Sequence, residues 1–180
     1  MFSVMRETVP DDALLRTYRG AVKPDQWGTY ADCFAVTIDR EVDLTDFVFA
    51  FYTSPVFRIE GFILRLLLGA SYSKADARAV AGGTSETFSA WYVGQRTATQ
   101  LLMCDRYERT RSWFCVAPAS GGGTRLQFGS AVAAKRDKKT GAPELNGGFH
   151  FLLWFHILYS QLLLRAAKLN LRARSRARLK

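Results

Sequence analysis

His156, Tyr159 and Ser160 fall within one turn of each other in the longest apolar run of this 180-residue chain. Spacings of three and four residues put such side chains on one helix face. Imidazole has the one ordinary pKa that lets a side chain give or take a proton near neutrality. Facing a cavity, His156 would be an acid or base with Tyr159 beside it; enclosed in a core, it would be a hydrogen-bonded packing residue. Asp105 is the other candidate acid or base, within a mixed-charge cluster that runs from Asp105 to Arg111 around a turn. Such clusters ordinarily serve solvation and weak surface pairing. At a cavity mouth, Arg106 or Arg111 would instead grip an anionic group through parallel hydrogen bonds. Trp91, Met103 and Trp113 lie on neighbouring strand-like runs as cavity walls or as plain core. The candidate ligand contacts are therefore Trp91, Met103, Arg111, Trp113, Phe155, His156 and Tyr159. The sequence completes no catalytic set, and the reading leans away from an enzyme.

Metal and phosphate chemistry find little support. Cys33, Cys104 and Cys115 are isolated, and with two histidines they give no zinc spacing. Three unpaired thiols fit a reducing compartment, where cysteine behaves as a small hydrophobe. The N-terminal MFSVMRETVPDD has no basic start followed by an apolar run, so the cytosol is the expected location. Gly121-Gly122-Gly123 is followed by Thr124 and a strand-like run, which is a hairpin tip and not a phosphate loop. No cofactor is expected.

The net charge of +9 is unevenly placed. Seven cations and no acid follow Glu144, and without those seven the rest of the chain carries +2. A nearly neutral body argues against a nucleic-acid-binding face. The terminal RARSRARLK has no aromatic residue for stacking on bases. Arg172, Arg174, Arg176, Arg178 and Lys180 would suit weak contact with an anionic surface, or simply the C-terminal end of a helix dipole.

These residues must be held by regular elements. Tyr30–Ile38 alternates, with Asp32, Phe34, Val36 and Ile38 sharing one face of a strand. Asp43 and Asp46 open a helix that closes near Ser54-Pro55. A second helix is expected over Val56–Leu68 and a short third over Lys74–Val80. Ser89–Arg96, Thr99–Tyr107, Ser112–Ala117 and Thr124–Ala133 read as strands, and Lys135–Gly148 as a polar loop. From Phe149 to Leu171 one helix is expected. Phe151, Phe155, Leu158, Leu162, Ala166 and Leu169 are its apolar stripe, and Gln161, Arg165, Lys168 and Arg172 its wet one. Its 16 residues from Phe149 to Leu164 contain two histidines and fall short of the roughly 20 that a bilayer core requires. The parts are then an arm (1–29), a domain (30–172) and a basic, frayed tail (173–180).

The order strand, two helices, antiparallel strands and long C-terminal helix resembles the helix-grip fold of START lipid-transfer domains and polyketide cyclases. The segments YADCFAVTI, DLTDFVFAFYTSP and FHFLLWFHILYSQLLLRAA look like a bacterial family of unknown function in that superfamily. The resemblance implies an α+β fold with a curved antiparallel sheet around the last helix, and an internal cavity for a hydrophobic ligand. It transfers no catalytic residue. The expected function is binding of a small apolar or amphipathic molecule in a cavity of about 300 Å³ or more. The alternatives are an enzyme using His156, Tyr159 or Asp105, and a module docking through the basic end.

Overall fold

The computed structural model describes residues 4–17, 30–59, 72–107, 110–132, 135–136, 143–144 and 148–178. For 17, 30, 132, 135–136, 143–144, 148–155 and 175–178 it describes the backbone alone. Seven strands pair antiparallel in one sheet. Its order is β1 (Met5–Glu7), β2 (Tyr30–Ile38), β7 (Thr124–Val132), β6 (Thr110–Pro118), β5 (Gln100–Asp105), β4 (Trp91–Arg96) and β3 (Thr87–Phe88). From β2 the chain passes through α2 (Leu44–Tyr52), a helical segment at 55–59 and α3 (Lys74–Gly82), then enters the far edge at β3. Successive antiparallel pairings bring β7 back beside β2, and α4 (Gly148–Arg178) closes the fold. This is an α+β helix-grip arrangement.

Alternation along the strands builds two cores. One face carries Phe34, Val36, Ile38, Leu101, Met103, Phe114, Leu126 and Phe128 into a cluster with α2, α3 and α4. The other carries Cys33, Leu102, Cys104, Trp113, Cys115 and Ala131 against Leu14 and Leu15 of α1 (Leu14–Thr17). β5, sequence QLLMCD, is buried at every position but the last because both its faces are covered.

The arm is thus joined to the fold. β1 extends the sheet beside β2, and Glu7 pairs with Arg125 of β7. Gln100 fastens α1 beneath the sheet. Its Oε1 accepts from the Leu14 amide at 2.9 Å and from Trp113 Nε1 at 2.8 Å, while its Nε2 donates to the Asp12 carbonyl at 3.2 Å. Gly129 permits this approach: a Cβ there would lie 2.9 Å from the Asp32 carbonyl, 3.0 Å from the Trp113 ring and 3.3 Å from Leu15.

The helix ends follow their chemistry. Asp43 caps α2 by accepting from the Asp46 amide at 2.7 Å. Ser73 and Asp76 form a reciprocal capping box on α3, and Gly83 ends it in the left-handed region. Arg96 reaches from β4 to the last carbonyls of α3, those of Val80 and Ala81. Of the expected Val56–Leu68 helix, residues 55–59 are helical and the rest lies outside the described residues.

Three expectations need correction. Lys135–Gly148 is not all loop, since β8 (Lys135–Arg136) pairs with β9 (Pro143–Glu144). α4 continues to Arg178, past the expected end near Leu171. The third concerns the face that α4 buries. Ser160, Leu163, Leu164, Ala167, Lys168 and Leu171 point inward, whereas Leu158, Leu162 and Leu169 are exposed. Both stripes repeat at helical spacing, and neighbours in α2 and β2 decide between them. Lys168, expected to be wet, is buried, and that burial lowers its pKa, as does neighbouring Arg172, against the pull of Asp39.

Candidate functional site

The site begins with strand register. Asp32 of β2 faces Ser130 of β7, and Ser130 faces Ser112 of β6, giving a polar row across three strands. The adjacent row on the same face is Phe34, Phe128 and Phe114. A strand period of two makes both rows consequences of sequence. α4 lies over them and supplies His156, Tyr159, Ser160 and Leu163.

Between sheet, α2 and α4 lies a cavity of about 180 Å³. Phe51, Tyr52 and Phe57 wall it on the helical side; Trp91, Phe114 and Phe128 wall it from the sheet and its far edge. The rings support one another, with Phe51 at 4.7 Å from Phe128 and 4.8 Å, edge-on, from Phe114. Polar atoms collect at Ser112, Ser130, His156 and Ser160.

The centre of that polar end is a three-residue contact. Ser130 Oγ is 2.6 Å from Asp32 Oδ1 and 2.5 Å from His156 Nε2, and the Ser130 amide also donates to Oδ1 at 3.2 Å. The Asp32 side chain is wholly buried. Its Oδ2 lies 3.7 Å from His156 Nε2 and accepts no hydrogen bond among the described residues. A carboxylate only accepts, so it takes the single Ser130 hydroxyl proton. With Asp32 ionised, Nε2–H of His156 is then the donor to Ser130 Oγ. The imidazole is therefore the donor in this contact, and its proton-accepting nitrogen is Nδ1. Such an order differs from a nucleophilic triad, in which histidine receives the serine proton and is itself oriented by the carboxylate.

Burial lowers the His156 pKa and outweighs the opposing pull of Asp32. Neutral histidine is the form expected at pH 7. Ser160, one turn along, is buried, and its hydroxyl has no partner among the described residues.

The residues proposed from sequence divide. Trp91, Arg111, His156 and Tyr159 line the cavity. Met103 is in the inner core but outside the cavity lining, and Trp113 is on the opposite face, bonded to Gln100. The side chain of Phe155 lies outside the described residues. Asp105 accepts from the Thr110 amide at 2.9 Å and so shapes the β5–β6 turn. Arg111 borders the cavity, yet alternation along β6 groups it with Trp113 and Cys115. Sequence reasoning passed over Asp32 and Ser130 as site residues. The signal was present in Asp32, an acid in phase with Phe34, Val36 and Ile38.

The cysteines serve packing. Burial pushes the Cys33 thiol up to about 12, helped by Asp32, and the Cys115 thiol up to about 11. Among the described residues no group of three or more metal-binding side chains occurs, and no helix is long and apolar enough to cross a membrane. No family model matches the chain, and no curated protein matches it.

Proposed function

We propose that the protein binds a small, largely apolar molecule in the cavity between the sheet and α4. The observation that carries this reading is a ring-walled space with a polar end backed by a wholly buried carboxylate. A buried acid is expensive unless hydrogen-bonded, and a dry apolar core would be the cheaper way to fill this position. The volume of about 180 Å³ does not meet the roughly 300 Å³ that the sequence reading set as its condition for a ligand pocket, so the proposal is narrowed to a smaller ligand. It excludes a lipid-sized ligand and fits one ring with a substituent, since an apolar cavity of about 150 Å³ accepts benzene. Superfamily kinship with START and polyketide-cyclase proteins is part of the proposal. It draws on the element order and the helix-grip arrangement.

The test is native mass spectrometry of freshly purified protein, with thermal melts in the presence of one-ring compounds. A copurified small molecule, or a melting temperature raised by toluene in the wild type and unmoved in Leu163→Trp, supports the reading. No copurified mass and no shift with any one-ring compound would end it.

A second reading, acid–base catalysis, draws on the short Ser130–His156 contact. It predicts that His156→Gln abolishes turnover of a ligand that still binds. Asp105 lies outside the lining of this cavity and accepts from the Thr110 amide. The basic end of α4 is the third. Arg174 is used internally, over the Phe49 ring at 4.2 Å and on Thr53 Oγ1 at 2.9 Å, and Arg172 pairs with Asp39 at 3.5 Å. Vesicle binding with and without the residues after Leu171 tests whether the remaining cations meet an anionic surface. We place the protein in the cytosol because all three cysteines are free thiols.

A further inference from the structure

We infer that the cavity selects a neutral one-ring ligand bearing a hydroxyl group, a phenol or its close kin, and excludes carboxylates. The inference rests on the ligand-site reading above and adds the chemistry of what is selected.

Hydrogen-bond capacity at the polar end decides the matter. Ser130 Oγ gives its proton to Asp32 and takes one from His156, which leaves this cavity-lining oxygen one lone pair unused among the described residues. Ser160 Oγ, also at the wall, is buried with neither donor nor acceptor capacity used among the described residues. One lone pair needs a donor and one hydroxyl offers a donor. A ligand hydroxyl supplies both halves: its O–H gives to Ser130 Oγ, and its oxygen accepts from the Ser160 O–H. A hydrocarbon ring leaves both unanswered. A purely accepting group, such as an ether, answers only Ser160.

Charge gives the second criterion. The Ser130 hydroxyl is bonded to a carboxylate whose side chain is wholly buried. A second anion would share that low-dielectric space. His156 offers little compensation, because burial lowers its pKa and keeps it neutral. Among the described residues Arg111 is the one cation on the wall, and alternation groups it with the outer-face residues Trp113 and Cys115. The ring itself is held by Phe51, Phe114 and Phe128.

The experiment is calorimetric titration of the full chain with toluene, phenol and benzoate at pH 7. Wild type is compared with Ser130→Ala, Ser160→Ala and Asp32→Asn, each first shown to retain a cooperative melt. Wild type should bind phenol roughly tenfold more tightly than toluene, the worth of one or two net hydrogen bonds. Benzoate should bind more weakly than either. Both serine variants should reduce phenol toward toluene and leave toluene unchanged, and Asp32→Asn should narrow the gap to benzoate. If a serine variant fails to fold, the wild-type order of the three compounds still decides. Equal binding of phenol and toluene overturns the inference while the cavity remains a ligand site. A preference for benzoate also overturns it and assigns the polar end to Arg111. No binding of any of the three overturns the inference and the ligand-site reading together.

Discussion

Ser130 on the last long strand and His156 on the last helix are joined by a 2.5 Å contact between Oγ and Nε2. Asp32, across the β2–β7 pair, holds the same hydroxyl from the other side. The contact ties α4 to the sheet in the lining of the cavity, so structural and chemical roles share one set of atoms. Its consequences reach several measurable properties.

The first is the pH dependence of stability. His156 has a lowered pKa in the folded state, so well above 6.5 it is neutral in both states and contributes nothing to the pH slope. As pH falls through 6.5 the unfolded chain binds a proton that the folded chain resists, and stability is lost. The slope from this residue should approach, and not exceed, about 1.4 kcal/mol per pH unit. Urea denaturation at pH 7.5, 6.5 and 5.5 should show that slope in wild type and a flatter one in His156→Gln. Identical slopes would contradict it.

Gln100 should be among the costliest polar residues to truncate. Gln100→Ala removes the acceptor of the Trp113 indole N–H inside the outer core and one bond of the Leu14 amide. The stranded indole donor costs about 1–3 kcal/mol and the lost amide bond about 0.5–1.5 kcal/mol, so a loss of roughly 1.5–4.5 kcal/mol is expected by chemical denaturation. Faster proteolysis around residues 8–13 should accompany it, as α1 loses its fastening. A loss below about 1 kcal/mol would contradict the clamp.

Two neighbouring glycines should behave differently. Gly122 and Gly123 both have positive φ, at 88° and 80°. A Cβ at Gly122 meets nothing within 4 Å, whereas at Gly123 it would collide with the Ile38 carbonyl and the Arg40 amide. Gly122→Ala should cost about 1 kcal/mol from backbone strain alone. Gly123→Ala should cost clearly more, because backbone atoms must move. Equal melting temperatures for the two variants would be the contrary result.

The cations at the end of α4 should separate in the same way. Arg174→Ala removes a contact with the Phe49 ring and a bond to Thr53, and a loss of about 0.5–2 kcal/mol is expected. Arg172→Ala removes an exposed pair with Asp39 and should cost less than about 1 kcal/mol. Thermal melts in low and high salt should show screening for the Arg172 change. The reverse order of the two losses would contradict this assignment.

The α+β class and the core strands were legible because Tyr30–Ile38 and Thr124–Ala133 alternate cleanly, and turn residues punctuate the chain. The capped helices were legible too, through Asp43 and the Gly82-Gly83 break. The buried face of α4 was not legible. Leu158, Leu162 and Leu169 are as apolar as Leu163, Leu164 and Leu171, and periodicity cannot choose between two stripes on one helix. β1 was hidden because three residues, MRE, carry no pattern, and their strand state comes from pairing with β2. At the site, His156, Tyr159 and Ser160 were visible through local spacing. Asp32 and Ser130 are 98 residues apart, and their meeting is a matter of strand register.

The most direct measurement is a chemical-shift map of the full chain titrated with phenol at pH 7. Shifts concentrated on Phe51, Phe114, Phe128, Ser130, His156 and Leu163, saturating with one site, are the predicted result. Saturable shifts elsewhere, or none at these residues at millimolar phenol, would contradict the cavity as the functional site.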